Sequence, residues 1–274
     1  AARLAARAAG GEVLVVNATG CLEVFSSSYP HSSWNVPWLH SLFENAAAVA
    51  AGIETALRRQ GRTTLRVIAQ GGDGGTADIG LQCLSGMFER GHDVLYICYD
   101  NEAYMNTGVQ RSGLTPTGAR TATTPVAGST AGNPRPKKDL PAIALAHGVP
   151  YVATASVGYY RDLEKKIEKA MQYRGPRYVQ VHVPCPLGWG YDGRLTIKVA
   201  QLAVRTGLYP LVEFVEGRLA SVRKLPKRLP VEEYLMVQGR FRHLVATDAS
   251  AADAATRAAL QAIADRNVER YGLT

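Results

Sequence analysis

The stretch "VIAQGGDGGTADIG", Val67 to Gly80, leaves an apolar run and at once sets four glycines around an aspartate. Glycine reaches positive φ without strain, so the turn alone fits an ordinary strand-to-helix link as well as a ligand cradle. Its setting separates the two. The run before the turn, "LRVIAQ" (Leu65 to Gln70), is one of five β-rich segments. The others are "EVLVVNA" (Glu12 to Ala18), "DVLYICYD" (Asp93 to Asp100), "PYVATAS" (Pro150 to Ser156) and "RYVQVHVP" (Arg177 to Pro184). Helical patterns begin between them at Ser41, Ala77, Asp139 and Asp162. This alternation predicts an α/β fold, a doubly wound and mostly parallel sheet covered on both faces. Ligands of such sheets bind beyond the carboxyl ends of the strands, where residues 71–75 fall.

The 274 residues are enough for one large α/β unit with a sizeable core. A net charge of +8 comes without a basic run or interleaved aromatics, so it marks no nucleic-acid face. No segment is long enough to cross a bilayer, and "AARLAARAAGG" (residues 1–11) lacks the apolar core of a secretory signal. It reads as a helix already under way, closed by Gly10 and Gly11, with native residues expected before Ala1. Cys21, Cys83, Cys98 and Cys185 form no CxxC pair and no secreted-type framework, which predicts a reducing, cytoplasmic setting. Two stretches break the rhythm. Met105 to Asp139 is rich in Gly, Pro, Ser and Thr and too long for a passive connector. The tail after Pro186 offers "LVEFVEGRLASV" as a hairpin and "ASAADAATRAALQAIADRNVERYG" as an amphipathic helix. The predicted division is a main α/β domain over residues 1–190 and a C-terminal extension over 191–274, packed on that domain or on partner subunits.

The charges of the glycine turn impose a condition. Backbone amides at a helix start attract phosphate, whereas the Asp73 carboxylate repels it unless a cation stands between them. Mg²⁺ meets that need, and the end of the next strand offers the Asn101 side chain and the Ala103 carbonyl as further oxygen ligands. Residues 75–100, 26 in number, separate the GDG from this asparagine, room for one helix and one strand.

That spacing resembles the thiamin diphosphate fingerprint. The segments "ATGCLEV", "WLHSLFENAAAVAAGIE", "GDGGTADIGLQCLSGMFERGHDVLYICYDNEAYMNTGVQRS", "KKDLPAIALAHGVPYVATAS" and "HVPCPLGW" extend the likeness from about Ala18 to Trp189. Together they are similar to the β subunit of pyruvate:ferredoxin oxidoreductase and its 2-oxoacid relatives. The resemblance implies the thiamin diphosphate-binding variant of the fold and oxidative decarboxylation of pyruvate with coenzyme A to acetyl-CoA and CO2. Electrons would pass through iron-sulfur clusters to ferredoxin, in a hetero-oligomer with α-, γ- and δ-type subunits.

By the same resemblance Asp73, Asn101 and the Ala103 carbonyl hold Mg²⁺, Gly72 and Gly74 admit the diphosphate, and Thr107 belongs to the cofactor-binding motif. Asn106 is implied to stand beside the substrate and to donate to its carboxylate or developing oxyanion; a turn residue bonded to backbone is the alternative. A partner subunit is expected to supply the glutamate that activates the aminopyrimidine, and neither Glu44, read as helical, nor Glu102 is assigned that role. Cys21 in "ATGC" and Cys185 in "VPCP" are implied as two ligands of a 4Fe-4S cluster, with a CxGC pair expected upstream of Ala1. Cys83 and Cys98 read as small buried hydrophobes, and Asp78 as a helix N-terminal charge or cap. Arg111, Arg120, Arg135, Lys137 and Lys138 cover the cofactor, meet a partner or lie solvated. His31 and Trp34 line the substrate route or pack on a partner. The competing readings are a non-oxidative thiamin-dependent decarboxylase subunit, an oxidoreductase for another 2-oxoacid, and a noncatalytic scaffold without a cluster. The contexts of Cys21 and Cys185 favour the oxidoreductase over the decarboxylase.

Overall fold

The structure is a computed structural model that describes residues 1–127 and 130–274; Gly128 and Ser129 of the long segment lie outside the described residues. Its strands are β1 (Val13–Ala18), β2 (Trp38–Ser41), β3 (Arg66–Gly72), β4 (Val94–Asp100), β5 (Val126–Ala127), β6 (Thr130–Ala131), β7 (Tyr151–Ser156), β8 (Arg177–His182), β9 (Val212–Val215) and β10 (Arg218–Val222). All but β5 and β6, which pair with each other, form one sheet in the order β10-β9-β7-β8-β4-β3-β1-β2. From β7 to β2 every pair is parallel, while β9 joins β7 antiparallel and β10 follows it as the expected hairpin.

Successive side chains on a strand point to opposite faces, so a continuous apolar run needs two covers. On one face Val67, Ala69, Val94, Tyr96, Cys98 and Tyr178 lie in the core with α3 (Ala46–Arg59), α4 (Leu81–Glu89) and α5 (Leu140–Ala146). On the other, Ile68, Leu95, Ile97, Val179 and Val181 lie in the core with α1 (Ala2–Ala9) and α6 (Tyr160–Gln172). The short α2 (Cys21–Ser26) follows β1. Gly10 and Gly11 close α1 at φ of 55° and 58°, values that favour glycine.

The tail carries α7 (Pro186–Trp189), α8 (Thr196–Arg205), α9 (Glu232–Leu235) and α10 (Ala251–Tyr271). It has its own core, in which Trp189, Leu202, Tyr209, Leu235, Phe241 and Leu260 are buried. A capping box between Ser250 and Asp253 starts α10, whose buried face is confined to Leu260 and Ala264. Among the described residues no helix is long and apolar enough to cross a membrane.

Two local readings are corrected. The helix expected from Ser41 starts at Ala46, because "WLHS" pairs with β1 as an edge strand, and Glu44 therefore lies in the turn ahead of the helix. The helix expected from Ala77 is preceded by a π turn over Gly75–Ile79, a wide winding that recurs at functional sites.

Candidate active site

The carboxyl ends of β1, β3 and β4 open into a cavity of about 320 Å³. Gly72, Asp73, Gly74, Asn101, Ala103, Asn106, Thr107 and Cys21 all line it, so one helix and one strand do return the chain to the glycine turn. The four glycines serve two ends. A Cβ on Gly71 would stand 2.9 Å from the Tyr96 hydroxyl, one on Gly74 2.5 Å from the Tyr104 ring, and one on Gly75 2.8 Å from the Phe43 carbonyl. These three let the turn pack against protein. Gly72 differs, because a Cβ there meets nothing within 4 Å and backbone is left open to the cavity. Gly74 lines the cavity, and the space left by its missing side chain is taken by the Tyr104 ring. Gly74→Ala is accordingly expected to cost about 1–3 kcal/mol through overpacking, read as a lower thermal midpoint, whereas Gly72→Ala leaves the midpoint nearly unchanged.

Asp73 is only 1% exposed. Burial pushes its carboxyl well up from the ordinary range and the neighbouring Asp100 charge adds to this, against the Ser112 hydroxyl that donates to Oδ2. A bare carboxylate is therefore poorly accommodated, and a cation would correct that. The Asn101 amide has two informative orientations. With its nitrogen inward it donates to Asp73 Oδ1 at 2.8 Å and to the Ala103 carbonyl at 2.9 Å. With its oxygen inward, the same spacings separate it from two other oxygens. They approach the ~3.0 Å between neighbouring ligands of an octahedral Mg²⁺ whose bonds are ~2.1 Å. The donor set suits Mg²⁺ in charge, and the two separations from Asn101 are compatible with it.

The turn after β4 is tightly held. Glu102 has a positive φ of 66° and is buried. Burial alone would raise its carboxyl, but Lys137, at 2.7 Å, and Arg240, at 2.6 Å, outweigh it and hold the carboxyl down at about 2. Glu102 lines a second cavity, on the side of the tail, and is absent from the lining of the first. Lys137 also pairs with Asp100 at 2.9 Å and is not a solvated loop residue. Asp78 is the acidic residue in the first turn of the π segment, as a helix N-terminal charge would be, but its side chain makes no cap there. It accepts from the Tyr104 hydroxyl at 2.9 Å, from the Gly113 amide at 2.8 Å and from Lys138 at 2.6 Å, which fastens the long segment over the glycine turn. Burial raises its carboxyl, and these donors, Lys138 foremost, bring it below the ordinary value.

Asn106 sits at the tip of a turn closed by the Tyr104 amide on the Gln110 carbonyl at 2.9 Å. Val109 completes that turn at φ 65°, a strained value for a β-branched residue. The Asn106 side chain is exposed and makes no hydrogen bond among the described residues, so backbone does not occupy its amide. The Thr107 hydroxyl donates to Gln110 Oε1 at 2.6 Å. Asn17, hidden in the apolar run of β1, also lines the cavity, with a buried Oδ1 that has no hydrogen-bond partner among the described residues. A polar residue near the carboxyl end of an apolar strand was its signal.

Cys21 opens α2, and Cys185 caps α7 by accepting from the Gly188 amide at 3.5 Å. Burial pushes the Cys21 thiol up, and the charges of Cys185 and Asp73 add to it; Cys21 lines the cavity and Cys185 does not. No group of three His, Cys, Asp or Glu side chains able to hold a metal ion occurs among the described residues. Cys98 is buried in β4 and Cys83 is half-buried on α4. Trp34 stacks on Trp38 at 6.1 Å, and neither it nor the exposed His31 lines the cavity.

Residues 18–181 match the family model "Thiamine pyrophosphate enzyme, C-terminal TPP binding domain", thiamine pyrophosphate being thiamin diphosphate. The chain is 52% identical to pyruvate synthase subunit PorB of Methanosarcina barkeri over all of its own length and 92% of that subunit. It is 54% identical to the PorB subunit of Methanothermobacter marburgensis over 88% of this chain and 84% of the relative. Among solved structures, a chain of the 2-oxoglutarate:ferredoxin oxidoreductase of Magnetococcus marinus, with 2-oxoglutarate, coenzyme A and succinyl-CoA bound, superposes with a TM-score of 0.57. Identity there is 27%, over 67% of this chain and 60% of that one.

Proposed function

We infer, from a chain that belongs to the thiamine pyrophosphate enzymes and within them to the family of pyruvate synthase PorB subunits, that it is the β subunit of a pyruvate:ferredoxin oxidoreductase. The reaction is oxidative decarboxylation of pyruvate with coenzyme A to acetyl-CoA and CO2, with electrons leaving through iron-sulfur clusters to ferredoxin. It takes place in the cytoplasm, in a complex with α-, γ- and δ-type subunits, one of which supplies the activating glutamate. The observation that carries this reading is the cavity where the Asp73, Asn101 and Ala103 oxygens meet an unoccupied Asn106 amide.

Thiamin diphosphate supplies, when bound, a carbon nucleophile for the 2-oxo group and a sink for the electron pair left as CO2 departs. Asp73, Asn101 and the Ala103 carbonyl hold Mg²⁺, and open backbone at Gly72 receives the diphosphate. Asn106 donates its amide N–H to the substrate, where negative charge grows on the 2-oxo oxygen. Cys21 and Cys185 would give two thiolates to a 4Fe-4S cluster.

The test is pyruvate-dependent reduction of a low-potential dye by the complete complex, with thiamin diphosphate and Mg²⁺, with and without coenzyme A. Reduction that depends on coenzyme A is expected. Release of CO2 without reduction makes the subunit part of a non-oxidative decarboxylase, and no turnover of any 2-oxoacid removes the reading. Cys185→Ala should lower bound iron and dye reduction together, and unchanged iron content takes the cluster away from this residue.

A further inference from the structure

The turn that carries Asn101 and Ala103 is gripped from outside the main sheet. Inside it, the Glu102 amide donates to Asp100 Oδ1 at 3.1 Å, and the Glu102 carbonyl accepts from the Thr115 hydroxyl at 2.7 Å. The second bond also ties the turn to Asp73 along the long segment, since Thr115 accepts from the Ser112 amide at 2.9 Å and the Ser112 hydroxyl donates to Asp73. The Trp189 indole N–H adds a third hold, donating to the Asn101 carbonyl at 2.9 Å. One tail residue touches both outer handles. Arg240 NH2 donates to Glu102 Oε2 at 2.6 Å, and the same guanidinium lies 3.6 Å over the Trp189 ring.

Arg240 is itself buried and hydrogen-bonded on several sides. It is 5% exposed, its Nε donates to Gln238 Oε1 at 2.9 Å, its NH2 also donates to the Tyr234 hydroxyl at 3.1 Å, and its carbonyl accepts from the Arg120 amide at 3.0 Å. A planar guanidinium can bond a carboxylate along its edge while its face covers an indole, which a lysine cannot do. Lys137, the other partner of Glu102, is shared with Asp100 and comes from the long segment, so it balances charge at the turn.

We propose that Arg240 is a positioning residue for the metal-binding turn, holding Glu102 from one side and Trp189 from the other so that Asn101 and the Ala103 carbonyl stand in register with Asp73. This rests on the thiamin diphosphate and Mg²⁺ reading given above. The positive φ of Glu102 makes such a hold necessary, because a non-glycine residue keeps that conformation only where its surroundings impose it.

The experiment compares wild type, Arg240→Lys and Arg240→Met in the complete complex, measuring by calorimetry the Mg²⁺ concentration that half-saturates thiamin diphosphate binding. Arg240→Met should need at least about tenfold more Mg²⁺, the cost typical of losing a partner that orients a metal ligand, and Arg240→Lys should fall between. Excess Mg²⁺ should restore kcat in both. A lower thermal midpoint with an unchanged Mg²⁺ requirement assigns Arg240 to tail packing alone and overturns the proposal. Should Arg240→Met not fold, Glu102→Gln, which keeps shape and loses charge, must show the same rise in Mg²⁺ requirement. Wild type that binds no thiamin diphosphate with Mg²⁺ overturns the functional reading and this inference with it. Normal wild-type binding beside unaltered variants overturns this inference only.

Discussion

Asp73→Ala should weaken Mg²⁺-dependent thiamin diphosphate binding by more than about 100-fold, beyond the range seen when only an orienting partner of a metal ligand is lost. Stability should not follow affinity. The variant removes a buried carboxylate that its surroundings already disfavour, at the expense of the hydrogen bonds it accepts from Ser112 and from the inward Asn101 amide nitrogen, each worth about 1 kcal/mol. Its thermal midpoint without cofactor should stay near that of wild type, while the rise given by thiamin diphosphate with Mg²⁺ disappears. The pH dependence has a definite sign. The metal needs the carboxylate, and burial has raised the pKa of that carboxyl in the free chain. Mg²⁺ binding must therefore displace a proton below the raised value, and affinity must fall as pH is lowered. The fall should begin above the ~3.9 of an exposed aspartate. Calorimetry in buffers of different ionisation heat measures the released proton, and a wild-type affinity in Asp73→Ala sinks the metal assignment.

Asn106→Ala should lower kcat by about 10²–10³, the usual effect of removing one donor aimed at developing charge, with cofactor affinity nearly unchanged. The separation of the two effects follows from the structure. The side chain is exposed and makes no hydrogen bond among the described residues, so truncation leaves no partner unsatisfied and no void. Asn106→Asp should be slower still, since a carboxylate opposes the negative charge that the amide favours. Steady-state kinetics with a low-potential dye decide the matter, and a kcat within tenfold of wild type ends the assignment.

What the sequence discloses about this cavity, and what it hides, depends on distance along the chain. Asp73 and Asn101 could be brought together on paper because a single helix and strand lie between them, and adjacent parallel strands return the chain to the same edge. β2 escaped notice because four residues of an edge strand run into an alanine-rich helix with no turn signal strong enough to part them. The long segment showed by composition only that it was not helical. That Ser112 reaches Asp73 and that Lys138 and Gly113 meet on Asp78 follows from its path in three dimensions. Arg240 had no local signal at all, and Glu102 read as one acidic residue of a motif until its two cationic partners were in view.

Glu102 and Arg240 lie 138 positions apart, and that interval also has a meaning in time. At about 5–20 residues per second, a ribosome takes roughly 7–30 s to pass from one to the other. Through that period β1, β3 and β4 are already made and able to pair, yet the turn beyond β4 lacks the guanidinium that steadies it. A nascent chain, or one truncated before residue 240, lacks the contacts of Arg240 with Glu102 and Trp189. On the proposal that Arg240 positions this turn, competence to load cofactor would arrive with the tail, and unfinished subunits would not draw thiamin diphosphate away from finished ones.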